Sequence, residues 1–240
     1  MKKITCLLIV VGVLAAGSQA FAWGLPSVPS VGGGDKKESG EKVDVNALGG
    51  RETTLKIRLS RATIALANGL IEVQKACGKT ADAARLEAAL EEAKKNPSDM
   101  EGTKKLCAEV DNAGEAMKKV DLEASMNKAE ARTRLGKSLL HLGAGSLLDL
   151  QAVNDAKNLV TDITNGVKAV QASPMTYGLS AVKDLNSGLS TAKFVAETIP
   201  TQIGTIADLT KGLVKYAQTN KIEVPSQKEQ EKQSKEMDKG

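Results

Sequence analysis

Apolar residues that recur every three or four positions are the feature that most restricts how this chain can fold. Leu55, Leu59, Ala62, Leu66, Leu70, Val73 and Cys77 form one such stripe, the spacing that brings side chains to a single helix face. Gly78 follows directly, where a glycine commonly ends a helix. Lys56-Ile57-Arg58-Leu59 alternates as a strand would, but the match is short and the helical period runs through it. A second helix is predicted from Thr80 through Ala83, Leu86, Leu90 and Ala93, stopping at Asn96-Pro97 because a residue before proline is pushed out of helical geometry. Ser98-Asp99-Met100-Glu101 has the form of a capping box and opens a third helix, with Cys107, Val110, Ala113, Met117 and Val120 on its inner stripe. Helical pattern continues from Asp121 to about Leu142. Gly143-Ala144-Gly145 is expected to interrupt it, since each mid-helix glycine costs about 1 kcal/mol relative to alanine.

Beyond that point the chain changes character. Residues 51–137 carry 31 charged side chains in 87 positions, whereas 149–224 carry 14 in 76, with Thr, Ser, Asn, Gly and Ala in their place. The second region holds an internal repeat: Asp162-Ile163-Thr164-Asn165-Gly166-Val167, Asp184-Leu185-Asn186-Ser187-Gly188-Leu189 and Asp208-Leu209-Thr210-Lys211-Gly212-Leu213. Pro174, Pro200 and Pro225 follow the three units, so each reads as one helix of about 20 residues, roughly 30 Å long, ended by proline. Gly166, Gly188 and Gly212 are then expected at helix-packing positions, where a missing side chain lets a neighbouring backbone approach.

The ends are of a different kind. Lys2 and Lys3, an apolar run from Ile4 to Ala16, and Ala20-Phe21-Ala22 lay out a signal peptide over 1–22 with cleavage before Trp23. Its removal takes two lysines and lowers the formal charge from +4 to +2. Residues 23–50, rich in Pro, Gly and Ser, read as a flexible tether. Residues 226–240, almost all Lys, Glu, Gln and Ser, are expected to be disordered. Cys6 leaves with the leader, and the remaining pair, Cys77 and Cys107, is expected to form a disulfide in an oxidising compartment.

Motifs for chemistry are scarce. Ala131-Arg132-Thr133-Arg134-Leu135-Gly136-Lys137-Ser138 matches a relaxed phosphate-loop pattern, but its surroundings are helical and no strand precedes it, so no nucleotide site is expected. His141 is the only histidine, which leaves too few nitrogen and sulfur ligands for a zinc site and no histidine-based catalytic pair. Glu87, Glu91 and Glu92 have Lys94 and Lys95 at pairing distance and read as a solvated helix face. Asp162, Asp184 and Asp208 read as helix-surface residues, because antiparallel neighbours reverse the depth of the motif and prevent all three from meeting. A near-neutral mature chain with four aromatic residues offers nothing to bind nucleic acid.

The expected fold is all-α: an antiparallel bundle of about six helices, charge-dense over 51–142 and carrying the repeat over 143–225. The expected role is that of a periplasmic or secreted bundle protein of the bacterial envelope, not an enzyme, with no cofactor or metal, acting through a protein partner or self-association. A lipid-binding or pore-forming protein that acts on a membrane surface is the alternative. The proline-punctuated units share their period with apolipoprotein repeats, but they lack the dense Lys and Arg of such helices.

Overall fold

A computed structural model describes residues 44–126, 128–177 and 179–239. The expected signal peptide and residues 23–43 of the expected tether lie outside the described residues. Among those described there are eight helices and no strand, so the chain is all-α. They are α1 (Val45–Ala76), α2 (Thr80–Lys95), α3 (Met100–Lys118), the single turn α4 (Leu122–Ser125), α5 (Lys128–Ala172), the single turn α6 (Pro174–Tyr177), α7 (Leu179–Thr219) and α8 (Gln227–Lys239).

Local chemistry explains several of the boundaries. The Asp44 carboxylate caps α1 by accepting from Ala47 N at 2.9 Å, which draws residues 45–50, expected in the tether, into the helix. At the other end Gly78 takes a φ of 70°, a conformation that only glycine adopts without strain. The N-cap of α3 is Asp99 and not Ser98: its carboxylate accepts from Glu101 N and Gly102 N, both at 3.0 Å.

The break expected at Gly143-Ala144-Gly145 does not occur, and α5 runs through it for 45 residues, about 67 Å. A methyl group at Gly145 would stand 2.8 Å from Leu66 Cδ2, and one at Gly143 would collide with Gln230. These glycines are contact points for α1 and α8, and the packing they allow offsets their helical penalty. Pro200 likewise fails to end a helix. It sits inside α7 on the exposed side, while Ile199 and Ile203 are buried against the core and hold the chain in register on either side. In place of three proline-punctuated helices there are therefore two long ones.

Paired side chains fix the directions of packing. Glu72 near the end of α1 accepts from Arg134 Nη1 at 2.7 Å and Lys137 Nζ at 3.0 Å near the start of α5. Arg51, near the start of α1, pairs with Asp162 far along α5 at 2.7 Å, so the two helices are antiparallel. After the turn α6 the chain returns as α7, whose Thr191 donates to Glu52 of α1 at 3.1 Å. Helix α3 runs alongside α7: Gln202 meets Cys107, Thr205 donates to Glu115 at 2.9 Å, and Asp208 faces Lys118. Two apolar clusters fill the interior. One, around Leu66, Leu70, Leu86, Leu106, Leu142 and Leu213, holds the α2–α3 end. The other, around Leu55, Leu59, Leu159, Leu185 and Ile199, holds the end where α5 turns back into α7.

The charged tail, expected to be disordered, forms α8 and docks on α5 and α1. It buries two polar residues one turn apart, Gln230 and Ser234, with Gln230 seated over Gly143. Asp238 then accepts from Nε and Nη2 of Arg58, both at 2.9 Å, and this paired contact anchors the far end.

Candidate functional site

Between the two apolar clusters the bundle is crossed by a polar layer to which four helices contribute. Thr63 comes from α1, Cys107 and Asp111 from α3, Asp149 from α5 and Gln202 from α7. Thr63 Oγ1 bonds the Leu59 carbonyl at 2.9 Å and lies 3.3 Å from Cys107 Sγ. Gln202 Nε2 donates to the Cys107 carbonyl at 3.1 Å. Asp149 is 0% exposed, and neither of its carboxylate oxygens has a hydrogen-bond partner. Asp111 Oδ1 and Gln202 Oε1 are buried and unpartnered as well. The layer thus gathers acceptors with few donors. Burial pushes the Asp149 carboxyl well above the usual carboxylate range, and the negative charge of Asp111 adds to the shift. Burial also raises Asp111, with the Gln202 side chain acting in the opposite sense. The same desolvation pushes the Cys107 thiol up to about 12.

This geometry corrects the expected disulfide. Cys77 and Cys107 are both free and buried. Cys107 stands level with Thr63, while Cys77 caps α1 fourteen residues further on, roughly 21 Å along the axis. A disulfide tolerates Cα atoms no more than about 7 Å apart. Placing both residues on inner stripes was sound; the level of each along its helix is set by how the α2–α3 hairpin packs.

The other residues singled out in the sequence are dispersed. Asp162 pairs with Arg51, Asp208 with Lys211 at 3.0 Å, and Asp184 lies exposed beside the start of α1. Gly166 and Gly188 are buried, and a methyl group at Gly188 would meet Ile163 Cδ1 at 3.0 Å. Gly212 is exposed and lines an open groove of about 540 Å³ between α3, α4 and α7, with Met117, Leu122 and Tyr216. The phosphate-loop look-alike at 131–138 lies within α5. His141 opens onto a cleft of about 380 Å³ between α1, α2 and α5, together with Glu72, Lys75, Glu87 and Lys137. Burial lowers its pKa. Among the described residues, no three His, Cys, Asp or Glu side chains are grouped to hold a metal ion, and no helix is long and apolar enough to cross a membrane.

Among the described residues, an exposed apolar feature stands at the turn from α5 to α7. From Ala169 to Val182 the chain carries no charge, with Lys168 and Lys183 on either side. Met175 in this turn is 99% exposed, the one large apolar side chain so placed among the described residues. Tyr177 and Val45, where α1 begins, pack against the neighbouring cluster at the same end. Sequence reading missed both the tip and the polar layer. The signal for the tip was the charge-free run, and Asp149 among Leu147, Leu148 and Leu150 was the signal for the layer.

No known protein family, characterised protein or solved structure matches this chain.

Proposed function

We propose that this is an exported, non-enzymatic bundle protein of the bacterial cell envelope, its six longer helices forming a scaffold that acts by contact with another protein. The tip of the α5–α7 hairpin makes that contact. One observation carries the reading: among the described residues, the single large apolar side chain left in water stands at the end of two long helices, in a stretch without charge. An isolated exposed apolar residue is ordinary on a protein surface, but here it sits in a turn whose neighbours Ala172, Ser173 and Thr176 are also exposed and uncharged. Such a tip loses little solvation on docking, and Met is adaptable at contact surfaces.

A photo-crosslinking residue at position 175, in cells that export the protein, tests this. Expected is a discrete adduct at 175 that is absent when the same residue replaces the exposed Lys193 of α7. No adduct at 175, or equal labelling at both sites, counts against the tip. A second reading is supported by the flanking Lys168 and Lys183, which suit an anionic bilayer surface. Co-sedimentation with phosphatidylglycerol vesicles, lost in Met175→Asp, would replace the protein partner with a membrane.

A further inference from the structure

We propose that Asp149 holds a proton in the folded protein, and that losing this proton loosens α3 from the bundle. The enclosure of the carboxyl is the starting point. Asp149 has no exposed surface, and the described residues offer neither of its oxygens a donor. A charge buried this way without a partner carries a heavy desolvation penalty, and such groups neutralise themselves instead.

The groups facing Asp149 sharpen the point. From α3 come Asp111, an acid, and Cys107, whose thiol burial keeps protonated. From α1 comes the Thr63 hydroxyl, already donated to the Leu59 carbonyl, and from α7 the Gln202 amide, one of whose two N–H donors goes to the Cys107 carbonyl while the side chain also serves Asp111. None of these supplies a positive charge. A proton on Asp149 turns an acceptor into a donor where Asp111 Oδ1 and Gln202 Oε1 are buried and unpartnered. The geometry also says which element responds. Asp111 is half-buried near the surface, whereas Asp149 is sealed in α5. If both are ionised, repulsion in a low-dielectric interior is relieved by moving α3 outward. Around the layer α3 meets α7 through small contacts, Gly114 against Thr205 and Cys107 against Gln202.

The direction with pH follows from linkage. A carboxyl with a raised folded-state pKa binds more protons folded than unfolded, so stability is fullest below the unfolded value near 4 and declines as pH rises toward the folded value. One such group changes the unfolding equilibrium constant by up to tenfold per pH unit over that window.

The test compares urea unfolding of the wild-type chain and Asp149→Asn from pH 4 to 9, together with amide hydrogen exchange across α3. Expected is a wild-type unfolding constant that rises with pH relative to Asp149→Asn, with α3 amides exchanging faster at high pH in the wild type only, after correction for intrinsic rates. Parallel stability profiles, or α3 exchange that responds equally in both proteins, overturn the proposal. Should Asp149→Asn fail to fold, infrared spectroscopy of the wild type decides. A protonated-carboxyl C=O band at neutral pH that survives Asp111→Asn supports the bound proton, and its absence refutes it.

Discussion

A methyl group added at Gly145 would stand 2.8 Å from Leu66 Cδ2 and 3.0 Å from the Ala62 carbonyl oxygen, and a backbone oxygen cannot turn aside. Gly145→Ala is therefore expected to lower stability by about 1–2 kcal/mol in urea denaturation, overpacking outweighing the gain in helix propensity. Gly204 is exposed on α7 with nothing within 4 Å of an added Cβ, so Gly204→Ala should raise stability by up to about 1 kcal/mol. The two cysteines make a second prediction at this scale. With Cys107 pushed up to about 12 and Cys77 also raised by burial, neither thiol should react with a disulfide reagent at pH 8 until the protein is unfolded. Reductant should leave the urea midpoint unchanged, because there is no bridge to reduce. What the sequence revealed of these residues was their face. Cys77 and Cys107 sit on apolar stripes and both are buried, but their separation along the bundle depends on the level at which α3 meets α1 and α7.

Helix α7 carries a proline that its packing tolerates. Pro200 has no N–H to offer the preceding turn, yet it lies on the exposed side between the buried Ile199 and Ile203. Pro200→Ala restores that hydrogen bond and removes the clash with the preceding carbonyl, and should stabilise the protein by about 1–3 kcal/mol. Helix α8 shows the opposite balance, because it has almost no apolar surface and is held by polar contacts. The hydrogen bonds from Arg58 hold the Asp238 carboxyl below its ordinary range. A depressed folded value gives a contribution that is present above about pH 4 and lost as the pH falls through that value. Acidification should therefore speed hydrogen exchange in α8 before the rest of the bundle, and Asp238→Asn should produce the same loosening at neutral pH for less than about 1 kcal/mol of global stability. The bounds of α2 were legible because Thr80 and Asn96-Pro97 mark them locally. The continuity of α5 was not, since a glycine that breaks an isolated helix and one that admits a neighbour look alike in sequence.

At the scale of the whole molecule, two apolar clusters stand end to end with a polar layer between them, clasped by α1 and the α5–α7 hairpin. Hydrogen exchange should be slowest in the middle of α1, from Leu59 to Val73, and in the facing part of α5, where nearly every inward side chain is fully buried. It should be fastest at the α5–α7 tip and in α8; a protected tip in the isolated protein would indicate self-association there. The helical class, the inward stripes and the ends of α2 were set by the sequence alone, because spacing and capping act within a few residues. Tertiary structure decided the rest: that Gly143, Gly145 and Pro200 stay inside helices, that the cysteines remain apart, that the charged tail docks, and that Asp149 is sealed in the interior. Each of these depends on which neighbour lies opposite, and that is fixed only when long helices choose their register against one another.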